Sequence, residues 1–78
     1  MTHEDMLRQI YVENKRALEE ARRPIIPLKD ARRDAIASGR NTAAYDRQLA
    51  PLIKHYHEVR EAGIRRVMEY RDKYDYRL

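Results

Sequence analysis

Ala37-Ser38-Gly39-Arg40-Asn41-Thr42, at the midpoint of this 78-residue chain, is the stretch that decides the fold. Glycine readily adopts the positive φ angle at which many helices end, so Gly39 predicts the end of a helix. Asn41 or Thr42 supplies a side-chain oxygen that accepts a hydrogen bond from the first amides of a following helix. The stretch therefore predicts a turn at 39–41 between two helical arms, 3–38 and 42–75.

The composition agrees with a single all-α domain. Charged residues make up 38% of the chain, with only 2 Gly and 3 Pro, which is typical of exposed helices. At this length one hydrophobic core is barely sufficient, and small chains usually add disulfides, a metal or a partner subunit. The absence of cysteine excludes disulfides.

The first arm has the spacing of a packed helix. Thr2 followed by Asp5 predicts a capping box at its start. Apolar residues then recur at alternating steps of three and four if Asn14 and Arg32 fill two gaps. An asparagine within such a seam often fixes the register of two helices; the alternative is that Asn14 lies at the edge and contacts water. The predicted seam is Leu7, Tyr11, Asn14, Leu18, Ala21, Ile25, Leu28, Arg32 and Ala35.

The second arm carries a matching stripe. Folding the chain at the turn pairs residues whose numbers sum to about 81, which places Leu18 opposite Gly63 and Ile25 opposite Tyr56. The prediction is an antiparallel, coiled-coil-like helical hairpin with arms of roughly 50 Å. The stripe is Tyr45, Leu49, Leu52, Tyr56, Val59, Gly63, Val67, Tyr70 and Tyr74.

Three prolines predict bends in both arms. Pro24 and Pro27 each lack an amide donor, and the residue before a proline disfavours the helical region. We therefore expect a bend at 23–27, with a helix restarting at Pro27, and a kink after Ala50 caused by Pro51. The alternative is three helices at roughly 3–22, 27–38 and 42–75.

Several apolar residues lie outside the seam and form a second lane. A lone hairpin would leave them in water, so we expect them to pack on another helix, either in a homodimeric four-helix bundle or on a different protein. The C-terminal Tyr76 and Leu78 also lie beyond the seam. The predicted partner-binding residues are Met6, Ile10, Ile53, Ile64, Met68, Tyr76 and Leu78; Ile36 is a further member of the lane.

No pattern indicates an enzyme. Ser38, the only serine, lies in the turn without a G-x-S-x-G setting, and two isolated glycines cannot form a phosphate loop. His57 and Glu61 share a helix face, but two ligands fall short of a metal site. We expect no catalytic residue, no metal, no cofactor and no small-molecule substrate.

The basic surplus of the chain lies just before the turn. Residues 22–40 hold six basic and two acidic residues, while the rest of the chain holds eleven of each. Such a region suits contact with phosphates or with an acidic partner. The residues are Arg22, Arg23, Lys29, Arg32, Arg33 and Arg40.

The N-terminus and the apolar runs of the sequence indicate where in the cell the protein is expected. The acidic N-terminus is not followed by an apolar run, which predicts no signal peptide. The longest apolar run, 25–28, is too short to cross a bilayer. We expect a protein without membrane contact, in the cytoplasm or within a viral particle if it is phage-encoded.

These patterns predict a non-enzymatic protein–protein interaction module: a small adaptor, inhibitor or assembly component of the kind common among phage and mobile-element proteins. The outline is similar to small helical-hairpin proteins that form four-helix bundles, some of which bind RNA, a likeness of architecture alone. The alternative function is a nucleic-acid-binding accessory protein that uses residues 22–40.

Overall fold

The computed structural model describes residues 2–74 and shows three helices. They are α1 (His3–Arg22), α2 (Ile25–Ala37) and α3 (Ala43–Tyr74), with no strand within the described range. The predicted all-α class is confirmed. Of the two predicted arrangements, the three-helix one is found, with α1 and α2 together forming the first arm of a hairpin.

α3 is antiparallel to the first arm and packs against both of its helices. Asn14 of α1 contacts Gly63, whereas Arg32 of α2 contacts Asp46, so residue numbers fall along α3 as they rise along the first arm. The hairpin measures 58 × 17 × 15 Å and has a radius of gyration of 17.8 Å. A compact chain of this length would have a radius of gyration of about 11.5 Å, so the molecule is elongated.

The turn forms as its residues predict. Gly39 has φ +70°, and the Arg40 amide donates to the Ala35 carbonyl at 2.8 Å. The Gly39 amide donates to the Ile36 carbonyl at 3.1 Å, which completes a Schellman motif. Across the turn, Asn41 Oδ1 accepts from the Ala43 amide at 2.8 Å and starts α3.

The capping box at the first helix is also confirmed. The Asp5 amide donates to Thr2 Oγ1 at 3.2 Å, and the Thr2 amide donates to Asp5 Oδ2 at 3.4 Å. The two bonds satisfy amides that have no acceptor within the helix, so α1 begins at His3.

The prolines bend the first arm differently from the prediction. Arg23 (φ −52°, ψ −48°) and Pro24 (φ −72°, ψ −17°) both keep helical dihedral angles, so the expected departure of Arg23 from the helical region is wrong. α2 begins at Ile25, which makes Pro27 its third residue and not its first. The first amides of a helix have no acceptor within it, so Pro27 lacks a donor where none is needed. The arm therefore bends at a two-residue turn.

Pro51 lies inside α3, which is continuous from Ala43 to Tyr74. The ring removes one hydrogen bond from the interior of the helix. Packing of α3 against the first arm on both sides of this position keeps the helix intact. The kink expected after Ala50 stays a prediction.

The core is a narrow row of side chains between the arms. Ile10 is buried, whereas Tyr11 is 47% exposed, so the predicted seam is wrong at this pair. Successive helical residues differ by about 100° in direction, and α1 turns its Ile10 side towards α3. Among the described residues, Ala35 is the most completely buried, with 1% of its surface exposed, and the other four core residues keep 5–7%. The buried residues are Ile10, Ala21, Ile25, Ala35 and Leu49.

One contact between α1 and α3 sets the register. Asn14 Nδ2 donates to the Gly63 carbonyl at 3.0 Å, and a Cβ on Gly63 would lie 3.1 Å from Asn14 Cγ. Asn14 thus lies within the seam. It lies opposite Gly63, where Leu18, one helical turn further along α1, was predicted. Gly63 is the only position in α3 without a side chain, and there the amide of Asn14 reaches a backbone carbonyl.

The close approach at Gly63 predicts the effect of adding a side chain. Gly63→Leu should lower the free energy of unfolding by about 1–3 kcal/mol, because the new side chain overlaps Asn14. The Tm should fall by at least about 5 °C in thermal unfolding followed by circular dichroism.

Ala62→Leu is the matched control, since Ala62 is exposed one position away on the same helix. It should change the Tm by less than about 3 °C. Equal Tm values for the two variants would contradict the role given to the Asn14–Gly63 contact.

Candidate protein-binding face

Exposed apolar side chains cluster on one side of the hairpin. Single exposed apolar residues are common on proteins, and a cluster is the informative observation. Among the described residues, seven large apolar side chains are exposed: Met6, Tyr11, Val12, Ile26, Ile36, Ile64 and Met68. All but Met6 and Val12 border the same run of grooves between the first arm and α3.

Three grooves lie one after another along this side of the hairpin. The groove farthest from the turn, which we call the open-end groove, contains Tyr11, Leu18, Ile64 and Met68. The middle groove contains Ile25, Ile26, Ile53 and His57, and the turn-end groove contains Ile36, Leu49, Ala50 and Ile53. The middle and turn-end grooves share Ile53 and Lys29, while His57 lies one helical turn from Arg60 of the open-end groove. We call the surface formed by the three grooves the groove face.

The groove face unites part of the predicted partner-binding set. Ile53, Ile64 and Met68 lie on it. Met6 is 38% exposed on the other side of α1, near Arg66 and Tyr70 of α3. Ile10 belongs to the core, so its assignment to the second lane is corrected. Tyr76 and Leu78 lie outside the described residues.

Two residues of the groove face were missed by the sequence prediction. Tyr11 was assigned to the seam, and Ile26 was assigned only to the proline bend. A signal for both is present in the sequence, because one lane of the first arm continues through them at steps of three and four. That lane intersperses four apolar with four basic residues: Tyr11, Lys15, Leu18, Arg22, Ile26, Lys29, Arg33 and Ile36.

The predicted basic region does not form a single patch of unpaired cations. Arg32 Nε lies 2.6 Å from Asp46 Oδ1, and Arg33 forms an ion pair of 3.2 Å with Asp30. Of the six predicted residues, Arg23 and Arg40 do not line the groove face. Within residues 2–74, the basic residues of this region without an ion pair are Arg22, Arg23, Lys29 and Arg40.

The groove face is the basic side of the molecule. Its lining holds six of the 17 basic residues and two of the 13 acidic ones, which leaves eleven of each elsewhere. The lining therefore has a net charge of +4, which is the net charge of the whole chain, and the remaining residues sum to zero. The six basic residues are Arg22, Lys29, Arg32, Arg33, Arg60 and Arg71.

Two ion pairs join the arms and shift the carboxyl groups involved. The hydrogen bond from Arg32 lowers the pKa of Asp46 below its ordinary 3.8. On the opposite side of the hairpin, the hydrogen bond from Arg66, with a second from Gln9, lowers the pKa of Glu13 below 4.5. Both carboxylates are stabilised in their charged form by the folded state.

The described part of the chain offers little for metal chemistry. No group of three or more His, Cys, Asp or Glu side chains within it could hold a metal ion. His57 lines the middle groove and makes an edge contact with Tyr56, with ring centroids 5.9 Å apart. No helix among these residues has the length and apolar character needed to cross a membrane.

Comparisons with models of protein families, with curated proteins and with solved structures found no match to this chain.

The lowered pKa values predict a specific acid sensitivity. A carboxyl group with a depressed pKa in the folded state stabilises the protein above its ordinary pKa, and loses this effect as the pH falls through the lowered value. Glu13→Gln/Asp46→Asn should therefore lower the Tm at pH 7. The gap to the unaltered chain should close as the pH is lowered below 4.5 and then below 3.8.

Asp34→Asn/Glu58→Gln is the matched control, because it removes the same charge where the described residues form no ion pair. Its Tm should follow that of the unaltered chain across the titration. A gap for the first variant that stays constant to the lowest pH would contradict the contribution of the two ion pairs.

Proposed function

We propose that this chain is a non-enzymatic protein–protein interaction module, a small adaptor, inhibitor or assembly component, that binds through the groove face. The observation that carries the proposal is the clustering of exposed apolar side chains. Ile64 and Met68 are 49% and 58% exposed, and they adjoin Tyr11 across one groove. Apolar surface of this kind, bordered by charged residues, is characteristic of interaction sites.

The surface area of the chain supports this proposal. The accessible surface is 6501 Å², whereas a compact protein of 9.4 kDa would expose about 5,000 Å². A standard interface covers about 800 Å² on each partner. The hairpin therefore has enough surplus surface for one interface along its length.

The size of the core points in the same direction. Among the described residues, five buried side chains, two of them alanines, hold the arms together. Small domains with such cores usually gain stability from an additional element, and a partner that binds only the folded chain supplies it by mass action. An interaction that covers the groove face would add apolar burial directly beside this core.

The residue types on the groove face also suit an interface. Tyrosine, methionine and arginine are enriched in protein–protein contacts. Tyr11, Met68 and Arg71 meet at the open-end groove, where Arg71 donates to the Tyr11 hydroxyl at 3.1 Å. Such a hydrogen bond holds both side chains in place before a partner arrives.

Crosslinking from a single position tests the proposal. A photoreactive amino acid replaces Ile64, and irradiation in the native cell is followed by mass spectrometry of the adducts. We expect one discrete protein adduct that forms again between the purified components. Its mass also distinguishes a second copy of the chain from a different protein.

Val12 is the matched control position, because it is 52% exposed but lies off the groove face. The same photoreactive residue at position 12 should give no discrete adduct. Equal adducts at both positions, or none at position 64, would overturn the proposed face.

A second candidate function, nucleic-acid binding, is supported by the four basic residues of the 22–40 region that lack ion pairs. Four phosphate contacts would give log affinity a slope of about −3 to −4 against log salt. The pairing of Arg32 and Arg33 with acidic residues weakens this candidate relative to protein binding.

A gel-shift titration across salt tests this second candidate. If the region binds nucleic acid, Arg22→Ala/Arg23→Ala/Arg40→Ala should weaken binding and reduce the slope by about 3. Arg8→Ala/Arg16→Ala/Arg65→Ala removes the same charge elsewhere and should reduce the slope by less. Absence of binding at low salt would exclude the candidate.

A further inference from the structure

The cations of the groove face lie among its apolar side chains and not apart from them. On α3, Arg60 is one helical turn from Ile64, and Arg71 is one turn from Met68. On the first arm, Arg22 lies between Leu18 and Ile26 in the same lane. A partner that covers the apolar residues must therefore also approach the cations.

The geometry of the grooves favours a helix as the occupant. The two antiparallel arms form the walls, and the lining residues recur along each wall at steps of three and four, with apolar residues interspersed with basic ones. This spacing matches the side-chain rows of a third helix packed in parallel or antiparallel alignment. From Ala50 to Arg71 the α3 wall extends about 32 Å, which is the length of a helix of about 21 residues.

The positive charge of the grooves favours an occupant with negative charge. Residues that flank an apolar seam select partners by charge, and opposite charges across the seam are favoured. The groove face carries six basic and two acidic residues, and both acidic residues are already paired. We infer that the partner segment is an amphipathic helix whose apolar stripe is flanked by Asp and Glu side chains.

A second copy of the chain fits this surface less well. In a twofold dimer the same face meets itself, which would bring two surfaces of net +4 together. Like charges across an interface oppose association. Nucleic acid matches the charge, but a phosphate backbone has no apolar row to cover Ile64 and Met68.

The inference rests on the proposed function and is tested with two synthetic peptides. Each is a helix of about 21 residues with Leu at the a and d positions; one carries Glu and the other Lys at every e and g position. Fluorescence anisotropy of each labelled peptide is measured against the full-length chain. At about 50 mM salt we expect the Glu peptide to bind at least about tenfold more tightly, with the difference shrinking at about 500 mM.

Charge-reversal variants locate the effect on the groove face. Arg60→Glu/Arg71→Glu should weaken the Glu peptide and strengthen the Lys peptide. Arg47→Glu/Arg65→Glu makes the same change at exposed positions elsewhere on α3 and should leave the preference intact. Circular dichroism checks that all variants remain helical. Ile64→Asp should abolish binding of the Glu peptide, while Val12→Asp should retain it.

Four results would overturn the inference. They are equal affinity for the two peptides, no binding of either, a dimer of the chain that Ile64→Asp dissociates, and displacement of the Glu peptide by a single-stranded RNA at lower concentration than by unlabelled peptide. Equal peptide affinity together with a heterologous adduct at position 64 would overturn the acidic helix and leave the proposed function standing. Loss of that adduct would overturn both.

Discussion

The contact between Asn14 and Gly63 determines how the two arms of this hairpin face each other. It joins a side-chain amide to a backbone carbonyl 49 residues away, at the one point of α3 where no side chain intervenes. Once this pair is in place, the rotation of α1 follows: Ile10 enters the core and Tyr11 remains at the edge. The composition of the groove face therefore depends on a contact that lies within its open-end groove.

Charge and apolar surface are combined on one side of the molecule. The opposite side of the hairpin carries the Glu13–Arg66 ion pair and Met6; among the described residues, Met6 and Val12 are the two exposed large apolar side chains that lie off the groove face. On the groove face, apolar residues alternate with cations that have few acidic neighbours. Such a surface can recognise a partner in two ways. The apolar side chains provide area to bury against the partner, and the cations favour a partner with negative charge. The proposed partner helix follows from both together.

The features that depend on neighbouring residues could be predicted from the sequence. Gly39 and the Thr2–Asp5 capping box interact with residues only a few positions away in the sequence. The helix ends that they form were therefore predicted closely. The register could not be predicted, because it depends on how Asn14 fits against a distant backbone. A rotation of one residue exchanges Ile10 for Tyr11, which changed the core and the candidate face at once. Ile53, Ile64 and Met68 lie on the groove face and also in the predicted second lane, because their position on α3 does not depend on that rotation.

The small core has a consequence for the amount of this protein in a cell. Five side chains are buried in the part of the chain that the structure describes, and we expect a hairpin with so small a core to open locally at little cost. Open segments are the ones that proteases cleave. A bound helix along the groove face would close both arms and protect them. Copies without a partner would then be degraded faster than copies in complex. The abundance of the hairpin would follow that of its partner, without any separate control of its synthesis.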